Sequence, residues 1–177
     1  MVEFVQGGPT VLDGPVTLVP YDPTWPRAFS RHAAVITAAL GPTCLVVEHV
    51  GSTSVPGLAA KPIIDILLVV PDSADEAAYV APLAGGGFFL RLREPEWHEH
   101  RLLGVGAADV NLHVFSAGSP EPDRMTGFRD RLRSSDDDRR LYEVTKKSLA
   151  ARDWHTLQDY ADAKSAVVEQ IISLTRR

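Results

Sequence analysis

Between residues 46 and 70 the sequence VVEHVGSTSVPGLAAKPIIDILLVV sets ionisable and hydroxyl side chains between two apolar runs. The first run ends in Glu48 and His49. Gly51 and Ser52 follow, a loop carries Ser54 and Lys61, and Asp65 is set inside the second run. Gly-Ser turns leave backbone N–H groups free to meet an anion, and Lys61 would add positive charge. A tight strand connection would use the same residues, because little besides Gly and Ser fits one. No Gly-Lys-Ser/Thr follows the second glycine and there is no Gly-x-Gly-x-x-Gly, so neither a P-loop nor a dinucleotide fingerprint is present. Asp65 is the sharper feature. A carboxylate flanked by Ile63, Ile64, Ile66 and Leu67 is costly to bury unless it is paired or metal-bound. A salt bridge to a later Arg or Lys is the plainer alternative.

Asp109, Asn111 and His113 alternate, so on a strand they share one face. Beside Asp65 they would form a mixed nitrogen and oxygen cluster able to hold a divalent metal. A hydrogen-bonded structural histidine is the simpler reading of His113. A second polar cluster, His98, Glu99, His100 and Arg101, lacks the spacing of a zinc protease. Later in the chain, Arg129 and Arg133 are four apart on one helical face, as a phosphate clamp requires. Lys146, Lys147 and Lys164 follow, and Lys164 sits beside an apolar stripe along which its amine can reach inward. A solvated face with intrahelical ion pairs accounts for most of the remaining charges.

These side chains need elements to hold them. Val16 to Val19 is expected as a short strand, and Asp22-Pro23-Thr24-Trp25-Pro26 as a capped helix start. Phe29, Ala33, Ile36 and Leu40 recur at helical spacing until Gly41-Pro42. Strands are expected over 43–50, 62–70, 88–92, 100–105 and 109–115, the last two forming a hairpin. The 62–70 strand is apolar on both faces and therefore central. Ser73 with Glu76 predicts a capping box for a helix over 74–84. From about residue 119 the chain is expected to be helical, with starts at Ser119-Pro120, Ser135 and Thr156 and a final stripe of Tyr160, Ala163, Val167 and Ile171. The fold class is α+β: a mixed sheet with flanking helices and a C-terminal three-helix segment. One domain over 15–177 is expected, behind a lead-in at 1–14.

Composition restricts the function classes. A net charge of −5 over 177 residues argues against a non-specific nucleic-acid binder. With 45% hydrophobic and 23% charged residues, the chain has the make-up of a globular protein. No apolar run approaches the roughly 20 residues of a membrane helix. The lone Cys44 reads as a small core residue, and with no secretory signal visible the expected compartment is the cytoplasm.

EHVGSTSVPGLAAKPIIDI resembles the signature of the GrpB family, a branch of the polymerase-β-like nucleotidyltransferase superfamily. Tyr21 to Pro26, Glu99-His100-Arg101, Asn111 to Val114, Phe128-Arg129-Asp130 and Tyr160 to Lys164 extend the resemblance along the chain. It implies a nucleotidyltransferase-like sheet in which Gly51-Ser52 is the Gly-Ser element and Asp65 the first metal-binding acid. Transfer of a nucleotidyl group there uses two divalent metals held by carboxylates. The second acidic position falls on Leu67, and Asn111 and His113 stand near the third. A single metal (Mg, Mn or Zn) held by Glu48, Asp65 and His113 is one expectation. Gly51, Ser52, Ser54, Lys61, His100, Arg101, Arg129, Arg133, Lys146 and Lys164 would then bind a phosphorylated small molecule or nucleotide. A binding module without transfer chemistry is the second reading, carried by Leu67. A reaction with His113 or His49 as general base, oriented by Asp65, is the third.

Overall fold

The computed structural model describes residues 1–12, 14–106 and 110–174. Six strands form one sheet: β1 (Glu3–Phe4), β2 (Val46–Val50), β3 (Ile64–Val70), β4 (Phe88–Glu94), β5 (His100–Val105) and β6 (Val110–Ser116). The spatial order is β1-β4-β5-β6-β3-β2. Only β3 and β6 run parallel; every other neighbour is antiparallel. The helices are α1 (Trp25–Leu40), α2 (Val80–Ala84), α3 (Glu121–Ser134), α4 (Asp136–Ala150), α5 (Leu157–Asp162) and α6 (Ser165–Ser173). This is the α+β mixed sheet expected.

The two faces of the sheet differ, and β3 explains why. Ile64, Ile66, Leu68 and Val70 point to one side and join Leu103, Leu112 and Val114 in the main core. α1 closes that core with Trp25, Ile36 and Leu40, and α2 with Leu83. Asp65 and Leu67 point to the other side. There Val50, Leu67, Val69 and Phe115 make a smaller apolar cluster under Met125 of α3. A third cluster joins Val55 and Leu58 of the loop to Leu132, Tyr142, Val167 and Ile171 of the helices. The segment between β2 and β3 is thereby fixed to the helical part of the chain.

Several expectations are corrected. Val16 to Val19 forms no strand; Val19 makes only a two-bond bridge with Ala60. Within the expected lead-in, Glu3–Phe4 pairs with β4. The 74–84 helix is a 3₁₀ turn, Glu76–Ala78, followed by α2. Its capping box does not form because both partners are engaged elsewhere. Ser73 Oγ donates to the Glu99 carbonyl at 2.7 Å, and Glu76 pairs with Arg93 and Arg101. The caps at Ser135 and Thr156 do form, the latter with the reciprocal Asp159 bond. The expected last helix is two, α5 and α6, divided at Ala163–Lys164, so the helical part holds four helices. The division follows the packing: Tyr160 joins Val16, Leu149 and Ala150, while Val167 and Ile171 join Val55 and Leu132. Asp109, the expected start of the sixth strand, lies outside the described residues.

Candidate functional site

Strand register assembles the floor of the site. Asp65 lies beside Asn111 across the parallel β3–β6 pair, and Leu67 lies beside His113. Asn111 Nδ2 donates to Asp65 Oδ1 at 3.0 Å, and His113 Nε2 is 3.6 Å from the same oxygen. Gly51 passes directly over the Asp65 carboxyl with φ +69, a backbone conformation suited to glycine. Burial pushes that carboxyl up, but His113, the Asn111 amide and Lys164 outweigh it and hold it below its ordinary value.

Three lysine amines stand over this floor. Lys146 of α4 is buried, and its Nζ donates to Ser52 Oγ at 2.9 Å and to the Ala59 carbonyl at 2.6 Å. The same amine lies 5.0 Å from the Tyr142 ring. Lys61 and Lys164 lie 5.7 and 4.6 Å from the Tyr160 ring. Burial, reinforced by Lys164, lowers Lys146 to about 7 and Lys61 to about 8. Burial lowers Lys164 as well. Among the described residues, Tyr160 Oη is the one buried side-chain polar atom with no hydrogen-bond partner. The result is a cationic, partly aromatic cleft holding the Asp65 carboxylate, a hydroxyl at Ser52 and an unsatisfied phenol, with Glu143 of α4 also bearing on Lys146.

The structure separates other expected site residues from this cleft. His49 shares the core face with Ile66, stacks on Phe29 with centroids 4.9 Å apart, and its Nε2 meets Thr53 Oγ1 at 3.0 Å. Burial lowers it to about 4. It is a core residue and not a base for the site. Arg101 faces the same core side, where it pairs with Glu76 and Glu99. Ser54 is buried and donates to the Gly51 carbonyl at 2.6 Å. Arg129 and Arg133 grip the Gly-Ser turn in place of phosphate. Arg129 Nη1 donates to Glu48 Oε2 at 2.7 Å and to the His49 carbonyl at 2.9 Å. Arg133 donates twice to the Ser54 carbonyl, at 3.0 and 2.8 Å. Replacing Arg129 with Met should therefore cost about 2 kcal/mol by leaving a buried carbonyl unpaired, read as a lower urea midpoint.

Two aromatic residues of the cleft, Tyr142 and Tyr160, were not singled out from the sequence as site residues. Each precedes its lysine by four positions, Tyr142–Lys146 and Tyr160–Lys164. That repeated helical spacing is a legible signal. Glu94 was also missed; it faces His100 across the β4–β5 pair, a contact no local pattern announces.

The donor set does not fit the two-metal arrangement that the sequence resemblance implies. Leu67, at the second acidic position, is 1% exposed and packed in an apolar cluster. Glu48 is committed to Arg129, so Glu48, Asp65 and His113 are not brought together as a ligand set. Among the described residues no group of three or more His, Cys, Asp or Glu side chains is placed to hold a metal. Lysine charge beside Asp65 also opposes a dication.

Comparison with known proteins agrees with this arrangement of sheet and loop. The family model for the GrpB protein matches residues 15–174. A UPF0157 protein of Halalkalibacterium halodurans is 56% identical over 157 residues, 89% of this chain and 80% of its own. One from Streptomyces coelicolor is 44% identical over 97% of this chain and 89% of its own. The crystal structure of GrpB from Enterococcus faecalis superposes with a TM-score of 0.76 at 27% identity, over 91% of this chain and 100% of that one. A family model spanning nearly the whole chain, and two relatives of which it covers four fifths or more, carry one conclusion: the chain belongs to the GrpB family.

Proposed function

We propose that this protein binds a phosphate-bearing small molecule, a nucleotide or phosphorylated metabolite, in the cleft between β3 and the C-terminal helices. One observation carries the reading: the amines of Lys61, Lys146 and Lys164 gather around Ser52 and Asp65, while Glu143, the other carboxylate bearing on Lys146, is already paired with Lys147. Buried cations so poorly neutralised call for an anion. Lys146 would donate to phosphate oxygens as a charge-assisted partner, Ser52 would add its hydroxyl, and the Tyr142 and Tyr160 rings would cover the amines. The Tyr160 hydroxyl, now unpaired, would gain an acceptor. Leu67 favours a site that does not run two-metal transfer, so a binding module is the reading that observation supports; a transferase-like reaction would have to use the chain's own acid–base groups. Among the described residues no helix is long and apolar enough to cross a membrane. The half-buried thiol of Cys44 fits the reducing cytoplasm.

Calorimetry with inorganic tripolyphosphate tests the reading. Binding should take up protons at pH 8, because the anion recharges Lys146 and Lys61, and the measured enthalpy should therefore change with the ionisation enthalpy of the buffer. Lys146→Met and Lys164→Met should each weaken binding about tenfold, the loss of one charged hydrogen bond. No heat with tripolyphosphate or a nucleoside triphosphate at millimolar concentration overturns it.

A further inference from the structure

A chain of side chains runs across the Asp65 face of the sheet, from β4 through β5 and β6 to β3. Glu94 Oε2 meets His100 Nδ1 at 2.7 Å, His100 Nε2 meets His113 Nδ1 at 3.1 Å, and His113 Nε2 stands 3.6 Å from Asp65 Oδ1. The His100 link is buried, its side chain 4% exposed, stacked on Phe115 and met edge-on by Trp97, while Glu94 at the far end is 27% exposed. The near end is open, with His113 and Asp65 at 22% and 27%.

Hydrogen-bond polarity fixes the direction of the chain. The Glu94 carboxylate accepts, so His100 Nδ1–H donates. Burial keeps His100 neutral, lowered to about 4, so its Nε2 is bare and must accept from His113 Nδ1–H. In the neutral ring that leaves His113 Nε2 bare toward Asp65 Oδ1, and a proton taken there is the charge that holds the Asp65 carboxyl below its ordinary value. Two convergent acceptors at the mouth of a cleft are completed by a donor placed beside both. The other groups that bear on them are Asn111, which donates to Asp65; Arg91, 3.4 Å from Asn111; and the amines of Lys61, Lys146 and Lys164.

We infer that His113 Nε2 and Asp65 Oδ1 receive a hydroxyl group of the bound ligand, and that Glu94 and His100 are positioning residues holding His113 in the tautomer that can take its proton. In that step the ligand O–H bond breaks, the proton passes to His113 Nε2, and the electron pair stays on the oxygen. The imidazolium formed is paired with the Asp65 carboxylate. The inference rests on the cleft reading only for the ligand that brings the hydroxyl.

Two-bond proton–nitrogen NMR of the full chain, labelled with ¹⁵N-histidine at neutral pH, tests it. His100 and His113 should both carry hydrogen on Nδ1. In Glu94→Gln an amide can donate where the carboxylate accepted, so both rings should shift toward the Nε2–H tautomer, with circular dichroism unchanged. Carbethoxylation of His113 by diethyl pyrocarbonate, mapped by mass spectrometry, should slow about tenfold in that variant, since the attacking nitrogen is now protonated. If Glu94→Gln fails to fold, Asp65→Asn serves: it leaves the Glu94–His100 bond intact, and both Nδ1–H tautomers must persist. His100 protonated on Nε2 in the parent protein, or unaltered His113 reactivity in a folded Glu94→Gln, overturns the inference. Either result can occur with tripolyphosphate binding intact, so failure here is distinct from failure of the anion site.

Discussion

Gly51→Ala is expected to destabilise the protein by about 2–6 kcal/mol, far more than alanine at most loop glycines. Two penalties combine. Gly51 has φ +69 and ψ −173, a region almost reserved for glycine, and a residue held there costs about 1–3 kcal/mol. An added Cβ would also sit 2.9 Å from both Cβ and Cγ of Asp65, and closer still to Oδ2. Asp65 cannot swing aside cheaply, because Asn111 and His113 hold its other oxygen. Overpacking of this kind costs about 1–3 kcal/mol more. Gly57→Ala is the control. Its φ is +79 but nothing lies within 4 Å of the added carbon, so it should lose only the conformational part, about 1–2 kcal/mol. Urea unfolding measures both, and equal losses in the two variants would remove the Asp65 contact as the cause.

Stability should rise as pH increases from about 7 toward 10, and Lys146→Met should remove much of that rise. The sign follows from proton counting. Folded Lys146 titrates near 7 while an unfolded lysine keeps its proton to about 10.5. Between those values the unfolded chain binds more protons, so raising pH favours the folded state. For a full proton the slope is about 1.4 kcal/mol per pH unit. Lys61, lowered to about 8, adds a smaller part in the same direction. Above the window Tyr142 reverses the trend, since burial raises its phenol to about 12 and the unfolded chain then loses its proton first. Urea midpoints at pH 7, 8 and 9 read the effect. A flat profile in the parent protein, or an unchanged slope in Lys146→Met, would show that the amine is charged and solvated in the fold. Saturating tripolyphosphate should flatten the parent's slope, because a bound anion restores the proton to Lys146.

The alternation of β3 and β6 was readable because a strand repeats every two residues and needs no partner to do so. Asp65, Asn111 and His113 were therefore placed on one face correctly, and β-branched runs located the strands to within a few residues. Local caps at Ser135 and Thr156 were readable for the same reason. The cap at Ser73 failed because distant partners, Glu99, Arg93 and Arg101, claimed both of its groups. Short-range rules do not know what the rest of the fold will take.

The site shows the same division. Sequence by itself determined the floor: the Gly51-Ser52 turn, Asp65 in its apolar run, Leu67 where a second acid would stand, and the family that these residues mark. Only the tertiary structure decided what each charge is for. It turned Arg129 onto the His49 carbonyl at the end of β2 and Arg133 onto the Ser54 carbonyl, and it buried the His49 ring against Phe29 on the opposite face of the sheet. It brought Lys146 of α4 and Lys164 of the α5–α6 junction, both more than 80 positions beyond Asp65, toward that carboxylate. The physical reason is that strand parity and turn chemistry are set within a few residues. The partner of a buried charge is set by how helices pack, and this sequence spaces lysines and arginines alike.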